Sequence, residues 1–398
     1  AAKVLEDHGF SPTIIEATQS VGGRVKTDII NGYQLDHGFQ VLLTAYPAAQ
    51  KHLDFEALDL QKFLPGASIF KKGKQKIIGD PLKDLSLFFP TLFSGIGSFS
   101  DKFKILKLNM KLKNKSIEAI FEEKETSSLC YLKRLGFSSQ IINDFFKPFF
   151  SGIFLEDKLE TSSRMFEFIY KMFGEGYAAL PKSGIQAIPD QLAEKLKQTS
   201  FKFNTKVTSI KDGEIVLADT TKLKSDFTII ATDANHLISN LKNQTTAWKS
   251  CNTLYFESDK SIIKKPLIGL IPEQGTLINN IFYHTRLKTN TLQKKALLSV
   301  TVIENQNLSN KALIEAVKKE LKNYCNIHDL GFIKHYNIPL ALPNLQDVKY
   351  DMLPSETRLT SKLFLAGDTQ LNGSLNAAMI SGERAALGVI EVLSGNKY

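Results

Sequence analysis

The most informative segment of the chain is LFLAGDTQLNGSLNAAMISGERAA, residues 363–386. A predicted strand from Lys362 to Ala366 leads through Gly367 to Asp368, and a helix rich in small residues follows from Leu375 to Leu393. Helix N-termini bind anions and electron-rich oxygens. Close packing alone would also require such small residues. The carboxylate in front of the helix favours a ligand site, because a buried carboxylate needs a partner.

A second informative segment, IIEATQSVGGRVKT, occupies residues 14–27. The β-branched run Thr13-Ile14-Ile15 predicts a buried strand that ends at Glu16. In a dinucleotide-binding βαβ unit, an acidic residue at this position accepts hydrogen bonds from ribose hydroxyls. The dipeptide Gly22-Gly23 would let backbone N–H groups approach a pyrophosphate, and Arg24 would add positive charge. A plain Gly-Gly turn is the alternative, but the upstream carboxylate favours the nucleotide site.

The composition is that of a globular protein with more than one domain. The 398 residues include 43% hydrophobic and 23% charged residues, which argues against collagen-like, disordered and multi-span membrane classes. Cys130, Cys251 and Cys325 are far apart and odd in number, so neither a disulfide framework nor a metal site is expected. A reducing compartment follows, and we expect a cytoplasmic protein.

The net charge of +9 is concentrated in one segment. Residues 102–115 contain six lysines and no acidic residue, directly after the uncharged run LSLFFPTLFSGIGSFS at residues 85–100. That run is shorter than the roughly 20 apolar residues of a membrane span, and it contains Pro90. It therefore predicts a buried or interfacial segment.

On a helix, four of these lysines would share one face: Lys104, Lys107, Lys111 and Lys115. A basic helix beside a Phe-rich stretch can bind anionic lipid, so we expect peripheral membrane contact, at the inner membrane face, as one option for Leu85–Lys115. The alternative is a solvated lysine face on a helix that packs inward. No motif for nucleic-acid binding is visible.

Taken together, the segments resemble the flavin-dependent amine oxidase superfamily, in particular the branch that contains phytoene desaturases and protoporphyrinogen oxidases. The resemblance covers nearly the whole chain. Besides the two segments above it rests on LDHGFQVL (35–42), KPFFSGIF (147–154), LPKSGIQAIPDQLAEKL (180–196), TKVTSI (205–210) and IIATDA (229–234).

The resemblance implies an α/β fold in which a Rossmann-like FAD-binding domain is interleaved with an α+β substrate domain, built from a mixed sheet and a helical subdomain. The FAD-binding domain would comprise residues 1–80, 176–236 and 355–398. The substrate-binding domain would comprise residues 81–175 and 237–354.

The resemblance also implies FAD as the cofactor and assigns residues to its adenosine and pyrophosphate half. Glu16 matches the acid that binds the adenosine ribose, and the backbone of Val207 would meet the adenine. Gly22, Gly23 and Arg24 match the glycine motif beside the pyrophosphate.

Five further residues match the flavin half of the site. Gly38 would lie close to the flavin, and Asp368, preceded by Gly367, matches the acid at the pyrophosphate and ribityl chain. Leu375 and Asn376 would begin the helix that faces the flavin pyrimidine carbonyl. The dipole of that helix would stabilise an anionic reduced flavin.

The sequence departs from the family pattern in three places. Ser20 stands where the family usually has Arg, and Asn376-Ala377 replaces the more usual Glu-Gly or Asn-Gly pair. The first strand and its G-x-G-x-x-G loop should precede residues 1–10, which resemble only the second half of the first helix. We therefore expect a fragment that lacks roughly 15 N-terminal residues, one strand plus its loop. The alternative is a flavoprotein that has lost the loop.

The expected activity is hydride transfer from an apolar organic substrate to the flavin, since such enzymes need no nucleophile. Phenylalanines at high density in residues 81–173 suggest a large apolar substrate, although most of them are expected to form the core. The alternative function is a non-catalytic relative that binds a lipid or isoprenoid. His37 is interpreted as a hydrogen-bonded structural residue rather than a base. Trp248, the only tryptophan, lies outside the C-terminal flavin motif, which weakens an amine substrate.

Overall fold

The computed structural model describes residues 1–238, 246–303 and 307–395. The strands are β1 (Thr13–Ile15), β2 (Thr27–Ile30), β3 (Tyr33–Asp36), β4 (Leu42–Leu43), β5 (Leu60–Lys62), β6 (Gly66–Lys71), β7 (Lys74–Gly79), β8 (Ala178–Pro181), β9 (Ser200–Lys202), β10 (Val207–Lys211), β11 (Glu214–Leu217), β12 (Lys222–Lys224), β13 (Thr228–Ile230), β14 (Ala247–Ser258), β15 (Ile268–Leu270), β16 (Ile278–Tyr283), β17 (Ala296–Val302), β18 (Gly331–Asn344) and β19 (Leu363–Leu365). The helices are α1 (Ala2–Asp7), α2 (Pro47–His52), α3 (Phe88–Phe93), α4 (Phe99–Lys113), α5 (Ile117–Glu122), α6 (Ser128–Arg134), α7 (Ser139–Ile141), α8 (Lys147–Phe154), α9 (Ser163–Glu175), α10 (Ala187–Glu194), α11 (Asn310–Cys325) and α12 (Leu375–Leu393).

Two pairs of parallel strands lie in the segments that the sequence assigns to cofactor binding. β1 pairs with β9, and β13 pairs with β19. The long helix α12 covers the second pair, and its small residues allow a close approach: a Cβ at Gly388 would lie 2.7 Å from the Pro354 carbonyl oxygen and 3.0 Å from the Phe364 ring. Close packing therefore explains the small residues in the second half of α12, as the alternative interpretation supposed.

A mixed seven-stranded sheet forms the second layer, in the order β18-β14-β17-β16-β15-β6-β7. Only the β15–β6 pair is parallel. Alternating side chains divide its two faces, as expected for strands. One face buries Leu254, Val300 and Ile281 against Leu313 and Val317 of α11. The other face packs against β3, where the Tyr255 hydroxyl donates to the Asp36 carbonyl.

The hairpin β6–β7 belongs to this large sheet, although the sequence assigned residues 66–79 to the FAD-binding domain. β6 pairs in parallel with β15, from Ala67 opposite Ile268 to Ile69 opposite Leu270. This pairing joins two distant parts of the chain, so no local pattern could reveal it. The domain boundaries themselves stay predictions.

Helices α3 to α9 form a separate helical region. Asp101 fixes the start of α4 and joins it to α7, because its carboxylate accepts hydrogen bonds from the backbone N–H and the hydroxyl of both Ser98 and Ser138 (2.7–2.9 Å). Burial would raise the pKa of Asp101, but the hydrogen bonds from Ser138 and Ser98 outweigh it and lower the pKa to about 2. The interior of this region is aromatic, with Phe146, Phe150 and Phe166 in mutual contact.

The structure refines two sequence expectations for this region. The run 85–100 is only partly buried: it contributes a 3-10 turn and α3 to the surface, with Phe89 and Phe93 exposed, whereas Leu87 and Ile96 are fully buried. The four lysines do not all lie on a solvated face, because Lys115 turns inward to the buried carboxylate of Glu167, which the half-exposed Lys111 also contacts (3.2 Å). Among the residues that the structure describes, no helix is both long and apolar enough to cross a bilayer.

Candidate functional site

A continuous cavity of about 2680 Å³ lies between the two parallel strand pairs, the large sheet and the helical region. Pockets for one small molecule usually measure about 300–1,000 Å³, so this cavity has room for a cofactor together with a substrate. It borders the ends of β1 and β19 on one side and reaches α3, α4 and α8 on the other.

The two informative sequence segments meet in the wall of this cavity. Arg24 pairs with the carboxylate of Asp368, 344 residues away along the chain. The same guanidinium donates to the carbonyl of Ala341 (3.0 Å) and lies 5.0 Å from the centre of the Trp248 ring. The indole of Trp248 lines the cavity, and its buried Nε1 has no hydrogen-bond partner. The sequence did not connect Trp248 with this site, because a long stretch of chain separates it from both motifs.

The glycines of both segments leave the backbone open to the cavity. Gly23 has φ +56° and no heavy atom within 4 Å of a Cβ placed on it, and Gly367 has φ +128° with only the Thr369 hydroxyl at 3.7 Å. Ser381 of α12 fixes Gly367, since its hydroxyl donates to the Gly367 carbonyl (2.8 Å) and accepts from the Gly367 N–H (3.0 Å). A ligand can therefore approach both backbones closely.

The cavity wall contains nine of the ten residues that the sequence assigns to a cofactor: Glu16, Gly22, Gly23, Arg24, Gly38, Val207, Gly367, Asp368 and Leu375. Glu16 follows β1, as expected, and its carboxylate accepts from the Thr18 N–H (2.8 Å). Asn376 does not reach the wall. It is fully buried, and its Oδ1 accepts from the Ala48 N–H (2.9 Å), so it ties the start of α12 to α2.

The large sheet contributes polar atoms that lack partners. Asn280 on β16 lies opposite Thr301 on β17, and both line the cavity. Asn280 Oδ1 and Thr301 Oγ1 are buried without a hydrogen-bond partner, although Asn280 donates through Nδ2 to Asn279 Oδ1 (2.8 Å). Buried polar atoms without partners are costly, so Asn280 Oδ1 is available to accept a hydrogen bond from a bound molecule, and Thr301 Oγ1 to accept or donate one. Sequence reasoning missed both, because alternation alone does not say which face of a strand meets the cavity.

His37 lies in the cavity wall next to Gly38 and is held by two neighbours. Its Nε2 lies 2.7 Å from Asp28 Oδ2, which also accepts from the Tyr336 hydroxyl (2.8 Å), and the His37 and Tyr336 rings are 4.3 Å apart. Partial burial would raise the pKa of Asp28, but the hydrogen bonds from His37 and Tyr336 hold it below its usual value. These contacts fix the orientation of the His37 ring in the cavity wall.

A buried polar cluster joins β3 to the large sheet beneath this wall. The Tyr255 hydroxyl donates to the Asp36 carbonyl (2.8 Å), and the Asp36 side chain accepts from the Thr27 hydroxyl (2.6 Å) and the Ile185 N–H (3.1 Å). Burial raises the pKa of Asp36 to about 6 despite these hydrogen bonds. Burial also lowers the pKa of the nearby His284, which contacts the Tyr255 ring, to about 4.

The end of the cavity toward the helical region is apolar. Phe145, Phe149 and Phe173 are half-buried there, and Phe149 contacts both of the others. Phe146 and Phe166, by contrast, belong to the core, as expected for most phenylalanines of residues 81–173. Within the described part of the chain, no group of three or more His, Cys, Asp or Glu side chains is arranged to bind a metal ion.

Comparison with known proteins supports this arrangement. A family model described as flavin-containing amine oxidoreductase matches residues 1–390. No curated protein sequence matches the chain.

Solved structures share the fold at low sequence identity. An oxidoreductase from Methanosarcina mazei is 18% identical with a TM-score of 0.71, covering 99% of this chain and 96% of that one. A provisionally assigned protoporphyrinogen oxidase from Exiguobacterium sp. 255-15 is 16% identical with a TM-score of 0.70 and the same coverage. Cyclohexylamine oxidase from Brevibacterium oxydans IH-35A is 13% identical with a TM-score of 0.68, again covering 99% and 96%.

Proposed function

Because the chain belongs to the flavin-containing amine oxidoreductases, we propose that it is an FAD-dependent oxidoreductase that takes a hydride from a large, mainly apolar substrate. The observation that carries the proposal is the ion pair between Arg24 and Asp368, which lies in the wall of a cavity large enough for a cofactor and a substrate. Membership of the family makes the protein a flavin-dependent oxidoreductase. The choice of FAD and the class of substrate are the proposed part.

The residues around the cavity fit an adenine-containing flavin. The open backbones of Gly23 and Gly367 suit close contact with a pyrophosphate, and the guanidinium of Arg24 supplies a matching charge. Glu16, at the end of β1, is placed to accept hydrogen bonds from ribose hydroxyls. Asp368 would orient Arg24 toward the diphosphate, since one Arg24 nitrogen is already fixed by the Ala341 carbonyl.

When bound, the flavin supplies the hydride acceptor. The protein's own part is to bind and orient the substrate and to exclude water. The half-buried rings of Phe145, Phe149 and Phe173 would bind an apolar body. The start of α12, capped by Ser374, directs the positive end of its helix dipole at the cavity.

The unpartnered atoms of Asn280 and Thr301 add one requirement to the substrate. A purely apolar molecule would leave both atoms unsatisfied. We therefore expect a substrate with an apolar body and at least one hydrogen-bonding group, such as a hydroxyl, carbonyl or amine.

The visible absorption spectrum of the purified protein tests the cofactor. The protein should be expressed from its full open reading frame, and the released cofactor should be identified by chromatography against FMN and FAD. Flavin absorption with released FAD is the expected result. A protein without flavin bands, or with FMN alone, would contradict the proposal.

The second candidate function is a flavoprotein that binds a lipid or isoprenoid without oxidising it, and the apolar end of the cavity is the observation that favours it. Anaerobic mixing with carotenoid precursors, porphyrinogens and amines separates the two. Bleaching of the flavin absorption by any of them supports the oxidoreductase. Tight binding with no bleaching by any of them supports the second candidate.

A further inference from the structure

The segment 82–110 exposes a group of large apolar side chains that the proposed function leaves unused. Over α3, α4 and the turn before them, nine such side chains face solvent; we call them the α3–α4 face: Leu82, Leu85, Phe88, Phe89, Phe93, Phe99, Phe103, Leu106 and Met110. Single exposed apolar residues are ordinary, whereas a contiguous group marks a binding surface.

The spacing of these residues makes the face continuous along each helix. On α4, Phe99, Phe103, Leu106 and Met110 follow the helical repeat, whereas Leu108 and Leu112 point the other way into the core. On α3, the rings of Phe89 and Phe93 stack with centroids 6.4 Å apart. Phe93 and Phe99 are about three-quarters exposed, so nothing in the described fold covers them.

The α3–α4 face is bordered by positive charge. Lys107 and Lys113 are exposed on α4, and residues 102–115 contain no acidic residue. The preceding Asp101 is buried, and its carboxylate accepts hydrogen bonds from the hydroxyls of Ser98 and Ser138. Because Lys111 and Lys115 bind Glu167, the charge available to a partner comes from the lysines that point outward.

The cavity reaches the α3–α4 face from inside. Phe88 and Leu92 of α3 and Ile105 and Leu106 of α4 line the cavity, and Phe88 and Leu106 also belong to the exposed face. An apolar molecule held at this surface would therefore have a path between α3 and α4 to the aromatic end of the cavity.

From these observations we propose that the α3–α4 face docks in the plane of an anionic lipid bilayer, with its aromatic side chains in the acyl boundary and Lys107 and Lys113 among the headgroups. The flanking positive charge favours lipid over a second copy of the chain, whose own face would bring the same positive charges together. The docking itself does not depend on the proposed function. The delivery of substrate through α3 and α4 does rest on it.

Vesicle flotation tests the docking independently of flavin or activity. The probe is a vesicle of equal parts phosphatidylcholine and phosphatidylglycerol, with pure phosphatidylcholine for comparison. We expect the protein to float with the anionic vesicles, and the variant F89S/F93S/F103S to stay behind. The control I29S/L292S/L353S removes three equally exposed apolar side chains outside the α3–α4 face and should float as the unmodified protein does.

The charge contribution has its own matched pair of variants. K107Q/K113Q should weaken partition into the anionic vesicles by about thirty-fold at low salt, because each basic residue near an anionic surface contributes about a factor of five. K311Q/K319Q, which removes two exposed lysines of α11, should leave partition unchanged.

Three outcomes would overturn the proposal. The first is an unmodified protein that does not float, and the second is F89S/F93S/F103S floating as well as the unmodified protein. The third is a dimer in lipid-free solution that the same three substitutions dissociate, which would assign the face to self-association. Circular dichroism of each variant establishes that it is folded, since all three phenylalanines are exposed and their loss should not unfold the chain.

Discussion

An ion pair between single residues joins the N-terminal glycine motif to the C-terminal motif in the cavity wall. Asp368 binds Arg24, and Arg24 is further held by the Ala341 carbonyl and the Trp248 ring. We predict that Asp368→Ala lowers the affinity for FAD at least about tenfold. The substitution removes the charge-assisted hydrogen bond that orients Arg24 toward the diphosphate, and such a bond contributes about 1.5–3 kcal/mol. Flavin content per protein, read from the visible spectrum after dialysis, measures it.

A matched ion pair outside the cavity provides the control. Asp351 forms two contacts with Arg384, and neither residue lines the cavity. Asp351→Ala should therefore keep its flavin. Equal flavin content in the Asp368 and Asp351 variants would contradict a role of Asp368 in binding.

The unpartnered hydroxyl of Thr301 leads to the prediction that its removal stabilises the fold. Thr301→Val removes a buried polar atom without a partner and keeps the shape of the side chain. We predict that the variant is more stable by about 1 kcal/mol and binds substrate more weakly. Urea unfolding measures the stability, and the KM for any substrate that bleaches the flavin measures the binding.

Ser299, two residues earlier on the same strand, provides the contrast. Its hydroxyl donates to the Phe282 carbonyl (3.3 Å) and lies 3.0 Å from His284 Nε2. Ser299→Ala should therefore lose stability. A Thr301→Val variant that is destabilised as much as Ser299→Ala would show that Thr301 has a structural partner.

The sequence predicts the residues of this site where a local motif marks them, and misses them elsewhere. Gly22, Arg24 and Asp368 lie in short motifs with a chemical meaning, and the structure places all three in one wall. Asn280 and Thr301 lie in ordinary strands, and their position depends on pairing between β16 and β17 that spans residues far apart in the chain. Their role in a site cannot be read from local patterns.

At the scale of elements, the predicted bounds of helices and strands agree best with the structure where the hydrophobic periodicity is strong, and differ where a residue interrupts the element. The predicted helix 375–393 is confirmed at both ends. The sequence pattern also predicts a helix over 310–323, which the structure extends to Cys325. It predicts one strand over 201–210, which the structure divides into β9 and β10, because Asn204 adopts a left-handed conformation (φ 52°). It predicts a helix over 188–197, which begins one residue earlier and ends at Glu194.

The pairing of Lys111 and Lys115 with Glu167 leads to a prediction about the stability of the helical region. Glu167 of α9 is buried and accepts from the Tyr131 hydroxyl of α6 and from Lys111 (3.2 Å) and Lys115. Burial would raise the pKa of Glu167, but the hydrogen bonds from Lys115 and Tyr131 hold it below its usual value. We predict that Glu167→Ala destabilises the protein by about 3–5 kcal/mol, because it breaks a buried ion pair and leaves the buried end of Lys115 with only the more exposed Glu123 as a partner.

Chemical unfolding measures this loss, and Glu175→Ala is the control. Glu175 pairs with Lys171 on the same helix but is more exposed, so its removal should cost less. A Glu167→Ala variant as stable as the unmodified protein would mean that Lys115 finds full compensation in Glu123, which lies 2.6 Å from it.

At the scale of the whole molecule, function depends on contacts between segments that the chain interleaves. The cavity has walls from the parallel strand pairs, the large sheet and the helical region, so no single segment contains it. The family resemblance predicts this interleaving, whereas composition and periodicity give only its elements. The α/β architecture with its mixed sheet is confirmed.

The buried cluster between β3 and the large sheet makes the stability of the whole molecule depend on pH in an unusual way. His284 has a pKa of about 4 in the folded state and an ordinary value of 6.5, so between these values the unfolded chain binds the additional proton. The contribution of neutral His284 to the free energy of unfolding is therefore complete above pH 6.5 and is lost as the pH falls toward 4. Asp36 has a folded pKa of about 6 against 3.8, so its contribution is complete below pH 3.8 and is lost as the pH rises through 6.

Each shift corresponds to about 3 kcal/mol, so the two contributions oppose and largely cancel between pH 4 and 6. We predict that His284→Asn exposes the Asp36 contribution: the free energy of unfolding of the variant should fall as the pH rises from 4 to 6. Asp36→Asn should show the reverse, a rise over the same interval. Urea unfolding across this interval measures both, with His328→Asn, an exposed histidine, as the control. If the His284 and Asp36 variants both follow the pH profile of the unmodified protein, burial of the cluster does not control these two groups.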